Sequence, residues 1–109
     1  MIDATLMAAI LDSIKNPITF ADTEHIIRYM NSAAVAHYDE GLALIGTSAL
    51  DCHNQHSQKI ITEILVAMRD GEEERLIADD EVRHIYMRAV RDNEGQLLGY
   101  YERYEPPRK

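Results

Sequence analysis

Residues 81–105, EVRHIYMRAVRDNEGQLLGYYERYE, predict two long β-strands joined by a tight turn. Apolar and polar side chains alternate through EVRHIYMRAVRD, which is the period of a strand with one buried face. Asp92-Asn93-Glu94-Gly95 has the composition of a hairpin turn, with glycine at its end. On the first strand we expect Ile85 and Met87 to face the interior, because the alternate side chains are more polar.

Three further segments have the composition of strands. EEERLIA at 72–78 precedes the hairpin and predicts a neighbouring strand. ITFAD at 18–22 and HIIRYM at 25–30 are rich in β-branched and aromatic residues, and the turn-forming residues at 22–24 separate them. Residues 18–30 therefore predict a second hairpin.

The first helix is predicted over residues 3–14, DATLMAAILDSI. Asp3 or Thr5 can cap its start, and Asn16-Pro17 ends it because the residue before a proline avoids helical angles. Its apolar side chains form two adjacent stripes, whereas a helix that only covers a sheet needs one. We expect the second stripe to be buried in a homodimer; the alternative is a helix buried more deeply in its own domain. The predicted interface residues are Leu6, Met7, Ile10 and Leu11.

The clearest helix is predicted over residues 58–70, where apolar side chains recur on one face. Ser57 is its expected N-cap and Gly71 its expected C-terminal stop. Before it, NSAAVAHY at 31–38 predicts one or two helical turns, and EGLALIGTSALDCH at 40–53 predicts a loop broken by glycines.

The order of these elements favours the α+β class. Strands at both ends of the chain and helices in its middle predict an antiparallel five-stranded sheet with helices on one face. The N-terminal helix is expected to flank that sheet. A length of 109 residues is enough for one domain and not for two. We expect a flanking helix over 1–15, a core over 17–105 and a tail over 106–109.

The composition excludes several classes of partner. A formal net charge of −8 argues against nucleic acid and against an anionic membrane surface, because both attract basic proteins. One cysteine cannot form an intrachain disulfide, and neither a signal peptide nor an apolar run of membrane-spanning length is visible. These features predict a reduced, cytoplasmic protein.

Three segments, taken in order, resemble the PAS domain family. NPITFADTEHIIRYMNSAA at 16–34 matches the family's first hairpin, with Asp22 in the turn and Asn31 after the second strand. LIGTSALDC at 44–52 matches a segment where many members have glycine after an aliphatic residue. MRAVRDNEGQLLGYYERYE at 87–105 matches the final hairpin and its RD-x-x-G-x-x-x-G pattern. This resemblance implies a sensory or interaction domain that holds a small ligand or cofactor between sheet and helices, or serves in dimerisation.

A narrower resemblance involves DCH at 51–53 together with IYMRAVRDNEGQLLGYYE at 85–102. Both are similar to a PAS subgroup that some bacteria fuse to a hemerythrin-like cation-binding domain. Asn54 stands where that subgroup commonly has proline, so the narrower resemblance implies the fold and not a particular partner.

The stretch DCHNQHS at 51–57 gathers Cys52, His53 and His56, whose side chains are good ligands for zinc, iron, copper or haem. No second cluster supplies the ligand that a four-coordinate zinc site would still need. The favoured alternative has Cys52 as a small buried hydrophobic residue, His53 capping or packing, and His56 in solvent at the start of a helix.

The function predicted from the sequence is a PAS sensory or protein-interaction domain that binds a small ligand or partner and signals through another chain. The alternative is a haem- or metal-binding redox or gas sensor that uses Cys52, His53 and His56. The sequence shows no pair of residues suited to acid–base catalysis, so an enzyme is not predicted. The cofactor stays unnamed, with haem as one candidate. The predicted ligand-lining residues are Tyr29, Cys52, Met68, Ile85, Met87 and Tyr101.

Overall fold

The computed structural model describes residues 3–79 and 84–105, apart from the side chains of Cys52 and Asp79. The predicted tail at 106–109 lies outside these residues. The α-helices are α1 (Ala4–Asp12), α2 (Ser32–His37) and α3 (Gln55–Arg69), and short 3-10 helices at Gly41–Leu44 and Ala49–Cys52 join α2 to α3. The strands are β1 (Ile18–Asp22), β2 (Ile27–Met30), β3 (Glu74–Asp79), β4 (His84–Arg91) and β5 (Leu97–Glu105).

The strands form one antiparallel five-stranded sheet in the spatial order β2-β1-β5-β4-β3. Both predicted hairpins are confirmed, since β1 pairs with β2 and β4 pairs with β5. The last strand, β5, lies in the centre of the sheet between β1 and β4. The first and last strands of the chain therefore pair within the sheet, and the α+β prediction is confirmed.

The core lies between one face of the sheet, here called the inner face, and the segments from α2 to α3. Met87 and Tyr100 project from the sheet, and Ile64 and Met68 of α3 pack against them; all four are almost fully buried. Along β4, Ile85, Met87 and Ala89 are buried and the residues between them are half-buried. The predicted inner face of β4 is therefore confirmed.

The N-terminal helix α1 lies beside the outer face of the sheet and buries none of its own residues there. Asp3 caps this helix, as predicted, because its Oδ1 accepts a hydrogen bond from the Leu6 N–H at 2.8 Å. The helix ends at Asp12, before the predicted end at Asn16-Pro17. The side chain of Asn31 donates to the carbonyl oxygens of Leu11 and Ile14, which replaces the hydrogen bonds of a further helical turn.

The start of α3 differs from the prediction. Asn54 is the N-cap, and its Oδ1 accepts a hydrogen bond from the Ser57 N–H at 2.9 Å. The prediction of Ser57 as the cap was therefore wrong, because an equally good capping residue three positions earlier lets the helix begin at Gln55. The end of α3 agrees with the prediction. Gly71 has a φ of +116° and, with Glu72, closes the helix by bonds to the carbonyls of its last turn.

None of the helices in the described ranges combines the length and the apolar character that crossing a bilayer requires.

Candidate functional site

A cavity of about 150 Å³ lies between the inner face of the sheet and the N-terminal half of α3. Its walls come from α3, from β3 to β5, and from the segment before α3. The described residues that line it are His53, Ser57, Ile60, Ile61, Ile77, Ala78, Ile85, Glu102 and Tyr104. Isoleucines form most of the apolar wall, and three of the polar side chains are Glu102, His53 and Tyr104. We call this space the inner cavity.

Glu102 is the unusual member of the inner cavity. Only 8% of the residue is exposed, and no group of the described residues donates a hydrogen bond to its carboxylate. Alternation along β5 puts Tyr100, Glu102 and Tyr104 on the inner face. Because burial disfavours the charged form, the pKa of the Glu102 carboxyl is raised to about 7. At neutral pH the neutral and the ionised forms of this carboxyl are therefore both well populated.

His53 borders the same cavity from the opposite side. It follows the 3-10 helix Ala49–Cys52, and its N–H donates to the Leu50 carbonyl at 3.0 Å. The Nε2 of Gln58 donates to the carbonyl oxygens of both Leu50 and His53, at 2.9 Å each, which ties this segment to α3. Burial lowers the pKa of the His53 imidazole, so the ring is predominantly neutral at pH 7 and keeps one acceptor nitrogen.

The chain that forms this sheet and its cavity matches a protein-family model along most of its length. The model of the PAS domain covers residues 7–105. The chain belongs to the PAS domain family. Such domains are generally sensory and not catalytic.

Solved structures share this PAS fold at low sequence identity. A C-terminal domain from Streptococcus mutans is 18% identical, with a TM-score of 0.78 over 96% of this chain and 85% of that one. A PAS domain from Colwellia psychrerythraea is 14% identical, with a TM-score of 0.71 over 94% of each chain. The PAS domain of BvgS from Bordetella pertussis is 21% identical, with a TM-score of 0.67 over 96% of this chain and 86% of that one. A search of curated proteins finds no match.

The predicted ligand-lining residues of this PAS domain do not lie together. Ile85 borders the inner cavity, whereas Met68 and Met87 are fully buried in the core. Tyr29 and Tyr101 lie on the outer face, where both are paired with Phe20 of β1. The side chain of Cys52 lies outside the described residues.

Tyr29 and Tyr101 border a second space of about 430 Å³ between α1 and the outer face. Leu11 of α1, Ile14 just after that helix and Phe20 of β1 also line it, so its walls are almost entirely apolar. Tyr29 is turned towards α1, where its hydroxyl donates to Asp12 Oδ1 at 3.0 Å. This outer space offers a ligand few polar groups that would fix its orientation.

The two histidines of the alternative metal-site hypothesis have different surroundings. His56 is exposed in the first turn of α3, and His53 is half-buried at the inner cavity. Within the described ranges, no group of three His, Cys, Asp or Glu side chains is arranged to hold a metal ion. Haem does not fit the inner cavity as the structure has it, because 150 Å³ suits a benzene-sized molecule.

Glu102 was missing from the sequence prediction, although the sequence contained a signal for it. In YYERYE the strand period places Glu102 between two inward-facing tyrosines. An acidic residue at an inward position of a central strand is uncommon, since carboxylates are rarely buried unless paired. What the sequence could not show is that no side chain within residues 3–79 and 84–105 pairs with it.

Proposed function

We propose that this PAS domain binds a small ligand in the inner cavity and that occupancy of the cavity is passed to another protein chain. The observation that carries the proposal is Glu102, a buried carboxyl without a described hydrogen-bond partner in a space large enough for a small molecule. Burying such a group costs free energy unless a partner is supplied. A ligand that bonds to Glu102 would recover that cost.

The cavity is also placed where its occupancy can affect other elements. It lies against the start of α3 and against β5, which pairs with β1 and β4 in the centre of the sheet. A ligand that orders the start of α3 would therefore change the packing of the sheet as well. Signalling through a partner chain, a cytoplasmic setting and kinship with the hemerythrin-fused PAS subgroup stay predictions from the sequence.

The test is a thermal-shift screen of small molecules against the wild type and two phenylalanine variants. Ala78→Phe fills the inner cavity, and Val66→Phe places the same side chain on the exposed side of α3 as a matched control. Mass spectrometry of the native protein, as purified, checks for a ligand that is already bound. We expect ligands that stabilise the wild type and Val66→Phe and not Ala78→Phe. Equal stabilisation of all three proteins would contradict binding in the inner cavity.

We further propose that the domain forms a homodimer through α1. The side chains of Leu6, Met7 and Ile10 are 48%, 50% and 50% exposed, and α1 has no buried residue. Several large apolar groups on one exposed helix favour contact with another protein surface. A second copy offers the same patch, and a two-fold axis makes the patch self-complementary. Leu11, the fourth predicted interface residue, instead lines the space between α1 and the sheet.

A further inference from the structure

Basic side chains near Glu102 are engaged elsewhere. Arg103 follows it in the chain and points to the opposite face of β5, because strand side chains alternate. There Arg103 Nη1 lies 2.6 Å from Glu74 Oε1, and its Nε lies 2.8 Å from Glu105 Oε1. Arg88 of β4 lies 3.8 Å from the same Glu74 oxygen. The acids on the outer face therefore hold these cations, and Glu102 lacks a counter-charge among them.

The described lining of the inner cavity contains neither lysine nor arginine. Its basic group is His53, whose imidazole is predominantly neutral at pH 7 because burial lowers its pKa. An anionic ligand would meet no positive charge there and would be repelled by Glu102. A cationic ligand would be attracted, and its charge would compensate that of the buried carboxylate.

We propose that the inner cavity binds a small organic cation, a primary ammonium group on a short aliphatic frame, with the Glu102 carboxylate as its counter-ion. This inference rests on the proposed function, because it names the chemical class of the ligand. The volume of about 150 Å³ sets the size of that ligand near that of benzene. Ile60, Ile61 and Ile85 supply an apolar wall for the aliphatic part.

An ammonium group donates three hydrogen bonds, and the cavity contains acceptors for them. The Glu102 carboxylate accepts one or two. The neutral ring of His53 and the hydroxyl of Ser57 are further acceptors in the lining. The hydroxyl of Tyr104, which lies 3.0 Å from that of Tyr38, is another.

Binding of such a cation is coupled to release of a proton. A neutral Glu102 carboxyl and a free ammonium ion become a carboxylate–ammonium pair, and the carboxyl proton goes to solvent. The other titratable groups that face Glu102 are His53 from the segment before α3, Tyr38 directly after α2, and Tyr100 and Tyr104 from β5. Among the described lining, β3, β4 and α3 present no titratable side chain to the cavity.

The test uses three probes of matched shape: isopentylamine, isopentanol and isovalerate. Their affinities are measured by calorimetric titration at about pH 6 and about pH 8 with the wild type, Glu102→Gln and Ala78→Phe. We expect the wild type to bind the amine at least about tenfold more tightly than the alcohol at pH 8, a modest gain for a buried charge pair. Amine affinity should be about tenfold weaker at pH 6, where most of Glu102 is protonated. Glu102→Gln should show neither the preference for the amine nor the pH dependence of amine binding, and it should keep its affinity for the alcohol.

The outcomes separate this inference from the proposed function. If the alcohol or the acid binds in an Ala78→Phe-sensitive way and the amine is not preferred, the ligand class is wrong and the cavity remains a binding site. If the amine binds equally well to Glu102→Gln, Glu102 is not its counter-ion. If the amine still binds to Ala78→Phe, it is attracted to the acidic surface and does not bind in the inner cavity. This result would also overturn the inference. If none of the probes binds, both the inference and the proposed site for a ligand of this size fail.

Discussion

Asn31 and Ile18 are joined by a buried hydrogen bond, in which the Asn31 side-chain Oδ1 accepts from the Ile18 N–H at 2.9 Å. The same oxygen caps α2 by accepting from the Ala34 N–H at 3.0 Å. The Nδ2 of Asn31 lies 3.1 Å from the Leu11 carbonyl oxygen. One fully buried amide therefore holds together the end of α1, the start of β1 and the start of α2.

Substitution of Asn31 by alanine should strongly destabilise the domain. The change leaves buried backbone groups of three elements without partners, so we expect the free energy of unfolding to fall by on the order of 3 kcal/mol. Urea unfolding followed by circular dichroism measures this loss. Asn93→Ala, in the exposed β4–β5 turn, is the control and should change stability by less than about 0.5 kcal/mol. Equal effects of the two substitutions would contradict the role of Asn31.

The cap of α3 leads to a paired prediction. Asn54→Ala should reduce the free energy of unfolding by about 1 kcal/mol, because it removes the acceptor for the Ser57 N–H. Ser57→Ala should cost clearly less, since the Ser57 contribution to the cap is its backbone N–H, which alanine keeps. Urea unfolding of both variants provides the comparison. A larger loss for Ser57→Ala would restore Ser57 as the capping residue.

Local patterns in the sequence predicted most of the fold. The alternation in 81–105 indicated which side chains of β4 face inward, and the turn residues at Asp22 and Asp92 predicted the two hairpins, which the strand pairing confirms. These features depend on neighbours within a few residues, so a single sequence shows them. The start of α3 was predicted three residues too late because Asn54 and Ser57 are both good capping residues, which the sequence pattern does not distinguish.

The candidate site was harder to predict because it depends on contacts between distant segments. Tyr29 and Tyr101 have the composition of ligand-lining residues, but the sheet register places them on the outer face. The burial of Glu102 follows from alternation along β5. That no side chain of the described residues pairs with it depends on which distant segments pack over the inner face, and a single sequence does not show these.

Glu102 should make the stability of the domain depend on pH. Its pKa is about 7 in the folded protein, compared with an ordinary value of 4.5, so the folded state binds this proton more tightly than the unfolded state does. Between these values the unfolded state holds fewer protons, and the free energy of unfolding falls as pH rises. The contribution is fully present below about pH 4.5 and is lost as pH rises through 7.

In Glu102→Gln this decline should disappear, because the amide is neutral throughout. From pH 5 to pH 8 the wild type should lose on the order of 2–3 kcal/mol more stability than the variant does. Urea unfolding at both pH values measures the difference. Glu94→Gln removes an exposed carboxylate from the β4–β5 turn and should behave like the wild type. A parallel decline in wild type and Glu102→Gln would show that Glu102 is not the group responsible.

The proposed homodimer predicts the effect of charge on α1. Leu6→Glu combined with Ile10→Glu places two carboxylates in the exposed apolar stripe and should shift the protein towards monomer, because two-fold symmetry brings like charges together. Thr62→Glu combined with Val66→Glu adds the same charge to the exposed face of α3 and should leave association unchanged. Sedimentation velocity at tens of micromolar protein tests both variants. A wild type that is monomeric at this concentration would refute the dimer.

Gly99 should tolerate no larger residue, because β1 lies too close to β5 at this position to leave room for a side chain. It lies in β5 opposite Asp22 of β1, and its φ is +156°. A methyl group at Gly99 would overlap the carbonyl oxygen of Ala21 and would lie 2.9 Å from the Asp22 Cα. Both are backbone atoms, so relief would require β1 to move away from β5. We expect Gly99→Ala to lower the free energy of unfolding by on the order of 3 kcal/mol or more.

Gly95→Ala is the matched control for this substitution. Gly95 also has a positive φ, +83°, but a methyl group there would meet no atom within 4 Å. It should therefore cost only the backbone strain of the turn, about 1 kcal/mol. The difference between the two variants in urea unfolding isolates the steric overlap with β1. If the two losses are equal, conformational strain alone explains the glycine at position 99, and β1 does not approach β5 as closely as the structure has it.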